Sequence, residues 1–397
     1  MGLNRSTARV TVRDAAGTPL PHVDVVVEQT RHAFAFGNIG FDFIDPAVRD
    51  TPLAKQWLDL YNTATLPFYW RDFEPQRGAP RTRPLRDAAQ WFTDHGVAVK
   101  GHPLVWHTLA PQWLSGDVEK QLRARIRRDV SDFAGLIDTW DAINEVVIMP
   151  VFEGEPNAIT ELAMVKGRVP MIQLAFDEAR SANPSATLLL NDFDLSSRYE
   201  DLIAETLAAG VQIDALGLQT HMHQGYWGEE KMLAMVDRFA RFGLPLHLTE
   251  STLLSGHLMP PEIVDLNDYV VTHWPSTPEG EARQADELVR HYRSLTSHPA
   301  VEAITYWGIT DTGAWLGAPV GLVRADGSPK PSYTALHELI KGEWWLPPTT
   351  MRTDAEGVIE VTGVHGEYRA TARGEIARFV LDGGDAVLDA TTASASS

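Results

Sequence analysis

Residues 140–145 read Trp-Asp-Ala-Ile-Asn-Glu and close a short run, residues 136–143, that is rich in apolar, β-branched and aromatic side chains. Such a run, placed after the helical pattern of residues 118–133, predicts a buried strand of a parallel sheet. Asn144 and Glu145 fall where that strand should end. In a barrel of alternating strands and helices the carboxyl ends of the strands carry the chemistry, so this polar pair is a candidate for a catalytic site.

Strand-like and helix-like patterns alternate along the middle of the chain. The predicted strands cover residues 33–38, 63–68, 97–106, 137–145, 187–192, 215–221, 246–250 and 303–308. Helical patterns follow each strand, most clearly at residues 83–95, 118–133, 169–182, 229–242 and 280–295. Eight such pairs predict an α/β protein of the TIM (β/α)8 barrel type, with Glu145 at the end of its fourth strand.

A second carboxylate, Glu250, ends the predicted seventh strand in the same way. Two carboxylates at strand ends are what glycoside hydrolysis needs, since one protonates the leaving oxygen and the other attacks the sugar or activates water. A strand-end glutamate is as often part of a structural ion pair, so neither residue decides the function alone. Together they predict a glycosidase that works without a cofactor.

The composition limits the partners. The 397 residues carry a formal charge of −19, which disfavours nucleic acid and anionic membranes as partners and favours a neutral ligand. Twelve tryptophans suit a groove for a polysaccharide or oligosaccharide, although most of them should lie in the core. No apolar run is long enough to span a membrane, so we expect a soluble protein, and a monomer.

The chain has no cysteine, which excludes disulfides and thiol nucleophiles but does not decide the compartment. The first residues lack the apolar core of a secretory signal. The expected location is therefore either the cytoplasm or, for a protein whose leader has been removed, the periplasm or the exterior.

The two ends of the chain alternate in hydrophobicity. Residues 8–13 and 23–28, with a turn at 14–19, predict a β-hairpin, and further strands are predicted within 357–381. Because two strands alone are only marginally stable, the arrangement we expect is one small β-sandwich module to which both termini contribute strands. The predicted division is 1–30 and 346–390 for the two halves of this module, 31–345 for the barrel, and 391–397 for a disordered tail.

Seven stretches make the chain resemble glycoside hydrolase family 10, which is best known for retaining endo-β-1,4-xylanases. In chain order they are GHPLVWH at 101–107, WDAINE at 140–145, LLLND at 188–192, LGLQTH at 216–221, LPLHLTE at 244–250, TYWGITDTGAWLG at 305–317 and PKPSYTALHELI at 329–340. The resemblance covers about residues 33 to 342, in the family's own order. It implies a retaining hydrolase on a barrel.

The resemblance also implies roles, position by position. Glu145 matches the acid/base and Glu250 the nucleophile. Asn144 matches the amide that binds the 2-hydroxyl of the sugar being cleaved, and His221 matches the residue that orients the nucleophile. Gln219 matches another polar group of the network around the nucleophile. His102 and Trp106 match residues that hold the same sugar, and Trp307 and Trp315 match aromatic walls around it. For each of these residues the plainer interpretation is a satisfied core histidine or amide, or a packing tryptophan.

The sequence gives weaker support to two other kinds of catalytic site. His221 and His223 share a strand face that Glu250 closes, which admits a metal site as an alternative, but the family roles already account for two of the three residues. A serine hydrolase is disfavoured because the chain has no Gly-x-Ser-x-Gly elbow.

The chain departs from the family at the subsite that grips sugars on the non-reducing side. Where the family carries Glu, Asn, Lys and Gln, this sequence has Thr65, Leu66, Tyr69 and Leu109. Tyr69 is the best candidate for a replacement contact, whereas Arg71 and Asp72 are as consistent with an ordinary loop surface. We therefore expect weak activity on plain linear xylan and better activity on an aryl glycoside or a decorated substrate.

The sequence thus predicts a retaining β-glycoside hydrolase, with xylan as the family default. A related β-glycosidase of different or substituted specificity is one alternative. A carbohydrate-binding protein that has lost turnover is another, from a different class.

Overall fold

A computed structural model describes residues 3–383 and 387–391 of the chain. Within these residues, eight parallel strands close into a barrel in chain order, from Ala35–Ile39 to Val301–Tyr306, and the last strand pairs with the first. Two smaller sheets are built from the ends of the chain. No helix in the described ranges has the length and apolar character that crossing a membrane would require. The predicted TIM barrel with an attached β-module is confirmed.

The barrel strands follow the predicted positions closely. They are β3 (Ala35–Ile39), β4 (Thr63–Pro67), β5 (Ala98–His102), β6 (Thr139–Asn144), β7 (Thr187–Asp192), β8 (Ala215–Met222), β9 (Leu246–Leu253) and β10 (Val301–Tyr306). The third predicted strand was extended too far, to Trp106. It ends at His102 because Pro103 has no amide hydrogen to continue the ladder.

Helices form the outer layer of the barrel. The structure has α1 (Pro52–Leu60), α2 (Trp70–Phe73), α3 (Thr82–Asp94), α4 (Val118–Phe133), α5 (Ala158–Lys166), α6 (Arg168–Ala182), α7 (Ser197–Ala208), α8 (Glu229–Ala240), α9 (Pro278–Leu295) and α10 (Pro331–His337). The five clearest predicted helices are all present, with ends that agree to within two residues.

Helix α4 shows why these patterns are reliable. Leu122, Ile126, Val130 and Phe133 recur three or four residues apart and are completely buried, so they form the stripe that packs on the barrel. The helix begins at Asp117, whose Oδ1 accepts the Lys120 backbone N–H at 3.1 Å. The apolar period and the cap together specify this helix from local sequence.

The remaining strands form a two-layer module. They are β1 (Arg5–Arg13), β2 (Asp24–His32), β11 (Thr349–Arg352), β12 (Val358–Val364), β13 (Gly366–Ala372), β14 (Glu375–Leu381) and β15 (Val387–Thr391). One sheet has the order β12-β1-β15 and the other β11-β2-β13-β14. Side chains from both sheets share one apolar core, with Val10 and Val361 from the first and Val27 and Tyr368 from the second.

The predicted hairpin between the first two strands is wrong. The turn exists, since the Leu20 N–H donates to the Val12 carbonyl at 2.8 Å, but β1 and β2 then lie in different sheets. Each has an apolar face, and placing the two strands in facing sheets buries those faces against each other. Partners from the other end of the chain complete both sheets: β1 pairs with β12, and β2 with β11 and β13.

Short polar contacts tie the two ends of the module to each other and join the module to the barrel. Gln29 exchanges hydrogen bonds with the Leu346 backbone, at 2.9 Å through its own backbone N–H and at 3.3 Å through Oε1. The His32 ring Nε2 lies 3.0 Å from the Ile340 carbonyl. The division at residues 30/31 and 345/346 stays a prediction. Of the predicted tail, residue 391 ends β15 and residues 392–397 lie outside the described residues.

Candidate active site

Glu145 and Glu250 stand at the carboxyl end of the barrel on strands that are separated by β7 and β8. Glu145 directly follows β6 and has a positive φ of 56°, the left-handed region that most side chains avoid. Its backbone N–H donates to the Asn191 carbonyl at 2.8 Å, which holds this strained turn in place. Glu250 lies within β9 and is 5% exposed.

The Glu145 carboxyl is held by three donors. Trp106 Nε1 donates to Oε2 at 2.8 Å, while Asn144 Nδ2 and Gln219 Nε2 approach Oε1 at 3.2 and 3.3 Å. Burial, reinforced by the negative charge of Glu250, nevertheless raises the pKa of Glu145 to about 8. Glu145 is therefore protonated at neutral pH.

The surroundings of Glu250 have the opposite effect. His221 Nε2 lies 3.1 Å from Oε2, Asn191 Nδ2 donates to Oε1 at 3.2 Å, and His102 Nε2 lies 3.9 Å from the same Oε1. Burial pulls the pKa of Glu250 upward, but the His221 hydrogen bond and the electrostatic interactions with His102 and His221 outweigh it and lower that pKa below its ordinary value. Glu250 is therefore ionised.

Asn191 connects the two sides of the site. Its Nδ2 donates to Asn144 Oδ1 at 2.7 Å as well as to Glu250, and its Oδ1 accepts from Thr249 Oγ1 at 2.6 Å. There is no space to spare around it, since a Cβ on Gly217 would lie 2.2 Å from Asn191 Oδ1. Sequence reasoning did not select this residue, although it lies at a strand end like Glu145.

His102 is oriented by a buried ion pair inside the barrel. Its Nδ1 lies 2.7 Å from Asp141 Oδ2, and Lys100 Nζ lies 2.8 Å from the same oxygen. Burial raises the pKa of Asp141, but Lys100 and His102 more than offset this and lower it. Because an ionised carboxylate only accepts, Nδ1 donates to Asp141, and Nε2 is directed to the Glu250 side. Asp141 and Lys100 are further residues that the sequence did not single out.

Aromatic rings surround His102. The centroids of Tyr69, Trp106 and Trp307 lie 5.7, 6.3 and 5.3 Å from that of the imidazole. Burial, then the charges of Glu250 and Glu145, raise the pKa of Tyr69 well above its ordinary value, so the phenol is neutral. Trp315 lies apart, 38% exposed, with its ring centroid 5.0 Å from that of His221.

The structure therefore brings all ten predicted site residues to one end of the barrel. They are Glu145, Glu250, Asn144, His221, Gln219, His102, Trp106, Trp307, Trp315 and Tyr69.

The positions that depart from the family pattern do not all face a ligand. Thr65 and Leu66 are completely buried, and Leu66 Cδ2 would lie 3.3 Å from a Cβ on Gly40, so this leucine belongs to the core. Arg71 is bound within the protein, through Nη2 to Glu155 Oε2 at 2.6 Å. Of the departures and their proposed substitutes, Tyr69 is the one in ring contact with the site residues.

The alternative metal site finds little support in the geometry. His221 is engaged by Glu250 through Nε2 and lies 3.3 Å from Thr252 Oγ1 through Nδ1. His223 is buried, and neither of its ring nitrogens has a hydrogen-bond partner among the described groups. Over the described ranges, no cluster of three His, Cys, Asp or Glu side chains has metal-binding spacing.

A barrel that presents one protonated and one ionised glutamate at its strand ends has the arrangement of a glycoside hydrolase. The comparison with known families agrees, because residues 63–339 match the model of glycosyl hydrolase family 10. The chain belongs to this family, and it is an enzyme of the glycoside hydrolase class.

Individual relatives are distant. Endo-1,4-beta-xylanase B of Thermotoga neapolitana is 26% identical over 330 residues, which cover 78% of this chain and 88% of the relative. Anti-sigma-I factor RsgI6 of Acetivibrio thermocellus is 24% identical over 93% of this chain, which spans 45% of that protein. Among solved structures, the family 10 protein of Paenibacillus barcinonensis has a TM-score of 0.65 at 22% identity, covering 78% of this chain and 95% of its own, a likeness that shows the fold.

Proposed function

We propose that the protein hydrolyses β-1,4-linked xylan-type glycans with retention of configuration, with Glu145 as acid/base and Glu250 as nucleophile. The observation that carries the proposal is the split in ionisation, because a retaining mechanism starts from one protonated and one charged carboxyl. The pKa of Glu145 is raised to about 8, while that of Glu250 is lowered.

In the first step Glu145 gives its proton to the glycosidic oxygen while Glu250 attacks the anomeric carbon. The bond to the leaving sugar breaks, and an ester forms between Glu250 and the sugar. Asn144, fixed through Oδ1 by Asn191 and Gln219, presents its amide beside Glu145 to the 2-hydroxyl of the reacting sugar. Contacts of this kind strengthen as the sugar gains oxocarbenium character.

In the second step the roles of the groups change with the charge. The ester has no negative charge, so the repulsion that helps to raise the pKa of Glu145 is removed. Glu145, now a carboxylate, accepts a proton from water, and the water oxygen attacks the anomeric carbon. The ester bond breaks and Glu250 is released as a carboxylate.

Xylan is the substrate that the relatives support, since the xylanase of Thermotoga neapolitana is among the curated proteins that this chain matches. These comparisons favour neither a non-xylan substrate nor a binding protein without turnover. Tyr69 stands at the position where the family carries a sugar-gripping Lys, and this supports the proposal that the sugar being cleaved is held beside Tyr69, His102 and Trp307. A single chain carries every site residue, and we propose that the enzyme is a monomer.

The test is the stereochemistry of the first product together with two substitutions. NMR of a digest should show the β-anomer first, and Glu250→Gln should abolish turnover. Glu145→Ala should lose about 10²–10⁴-fold on substrates with a poor leaving group and little on those that leave without a proton. An α-anomer as first product, or an active Glu250→Gln, would overturn the assignment. The two carboxyl groups are expected about 5–5.5 Å apart.

A further inference from the structure

The line from Glu145 to Glu250 divides the mouth of the barrel into two unequal parts. On the shorter side lie the ends of β7 and β8, and on the longer side the ends of β10, β3, β4 and β5. Each strand on the longer side ends in or is closely followed by an aromatic ring. In barrel order the rings are Trp307, Phe41, Tyr69, and the His102–Trp106 pair.

These rings form a continuous wall, which we call the aromatic arc (Phe41, Tyr69, His102, Trp106 and Trp307). Phe41 bridges its neighbours, with its centroid 5.7 Å from Trp307 and 6.0 Å from Tyr69, both edge to face. Tyr69 continues the wall to Trp106 at 5.5 Å. Centroids at these separations are in van der Waals contact, so no gap as wide as a sugar ring is left between neighbours.

Phe41 is held firmly enough to act as a wall. It begins a 3₁₀ turn, Phe41–Ile44, in which the Phe43 ring is completely buried and stacks on Trp91 at 5.3 Å. Arg49 Nε donates to the Phe43 carbonyl at 2.8 Å. At the start of the turn, a Cβ on Gly40 would lie 2.6 Å from the Phe92 ring, so the backbone packs directly on that ring.

Tyr69 also has a group to offer a sugar. Its hydroxyl makes no hydrogen bond to any other group in the described ranges. Its ring lies against His102 and Trp106, the side chains that approach Glu250 and Glu145. A non-reducing terminal sugar has a free 4-hydroxyl where an internal sugar has a glycosidic bond. The neutral phenol of Tyr69 can donate a hydrogen bond to that free 4-hydroxyl.

We propose that Phe41 and Tyr69 close the non-reducing side of the cleft, so that the enzyme holds one xylosyl unit there and releases it from the end of a xylo-oligosaccharide. The inference rests on the proposed function for the direction of the chain. It makes Phe41 a specificity-determining residue. With this side closed, the site binds the non-reducing end of a chain and does not bind the interior of a long polymer.

The kinetic experiment compares two substrates that share a leaving group, 4-nitrophenyl β-xyloside and 4-nitrophenyl β-xylobioside. The wild-type protein should release nitrophenol from the bioside with an initial kcat/KM at least about tenfold below that for the monoside, since the wall leaves no room for the second sugar. Xylotetraose should give xylose and xylotriose first. Phe41→Ala should raise the ratio of bioside to monoside about tenfold or more by opening a subsite. Phe41→Leu should raise it less and serves if the alanine variant does not fold.

Phe34→Ala is the matched control. Phe34 is half-buried like Phe41 but precedes β3, at the opposite end of the barrel, so its loss should leave the substrate ratio unchanged. A wild-type ratio of bioside to monoside of about one or more, or a ratio that Phe41→Ala does not move, would overturn the proposal.

A binding measurement separates this proposal from the proposed function. Tryptophan fluorescence titrations can use an iminosugar of xylose configuration, whose positive charge holds it beside the two glutamates, and the xylobiose analogue that carries the same ring at its reducing end. The wild-type protein should bind the xylobiose analogue much more weakly, and Phe41→Ala should gain affinity for it. If neither aryl glycoside is cleaved but this binding pattern appears, the proposal that Phe41 and Tyr69 close the non-reducing side is supported, and the proposed hydrolytic function is wrong. If the xylobiose analogue binds the wild type as tightly as the xylose analogue, the proposal that Phe41 and Tyr69 close the non-reducing side fails whatever the turnover.

Discussion

Replacing Trp106 by Phe should move the basic limb of the pH profile to higher pH. The rate requires a protonated Glu145, so it falls as pH rises through the pKa of that residue, about 8. The Trp106 Nε1–H donates to Glu145 Oε2 at 2.8 Å and favours the carboxylate form. Losing this donor therefore favours the protonated form and raises the pKa further.

The size of the effect follows from the energy of one charged hydrogen bond. Such bonds contribute roughly 1.5–3 kcal/mol, and one pKa unit corresponds to about 1.36 kcal/mol. Both partners are half-buried, so water replaces part of the lost interaction and the lower end applies. The basic limb should move from about pH 8 to about pH 9.

The assay is kcat/KM on an aryl xyloside across the pH range, normalised for each variant so that lost sugar contacts do not affect the result. Trp113→Phe is the control, because this half-buried indole donates to the Glu74 carbonyl at 2.9 Å, away from both glutamates. Its limb should stay in place. If the limb of Trp106→Phe stays unchanged or moves to lower pH, the acid that governs the profile is not Glu145 in this environment.

Other predictions test the remaining parts of the account. Glu145→Gln should stabilise the protein, because a carboxyl whose pKa is raised in the folded state lowers the free energy of unfolding as pH rises from its unfolded-state pKa to about 8. The gain reaches up to about 3 kcal/mol at pH 7 and nearly vanishes near pH 4, so equal shifts of the melting temperature at the two pH values would contradict this. Asn191→Ala leaves Glu250 without one donor and should lower kcat by about 10²-fold with a smaller change in KM, so a pure KM effect would argue against a positioning role. Tyr69→Phe should weaken binding of xylose in fluorescence titrations without unfolding the chain; unaltered affinity would show that the hydroxyl is not used. Ending the chain at residue 345 removes the partners of β1 and β2, and limited proteolysis should then cut within residues 5–32, whereas continued protection would mean that these strands are stable alone.

Local sequence contained enough to place the barrel and its two glutamates. The apolar period of Val118–Phe133 and its Asp117 cap fix a helix without reference to the rest of the chain. Glu145 and Glu250 follow short apolar runs, and strand ends meet at one face of a parallel barrel, so their common location follows from topology alone. The terminal strands were predicted as elements for the same reason, since alternation is a property of neighbouring residues.

Tertiary structure decided everything that depends on neighbours distant in the chain. Both β2 and β12 have the alternating apolar pattern expected of a partner for β1. β1 pairs with β12, because β1 and β2 then lie in facing sheets whose apolar sides form one core. Leu66 matches a sugar-binding position in sequence but lies in the core, because its side chain packs beside Gly40. The opposite ionisation of the two glutamates comes from burial and from groups far apart in the chain, the charge of Glu250 acting on Glu145, and His221 and His102 acting on Glu250. The order of residues along the chain sets which acids stand at the mouth of the barrel. Their protonation, and the aromatic arc beside them, exist only when the strands that carry these side chains come together in space.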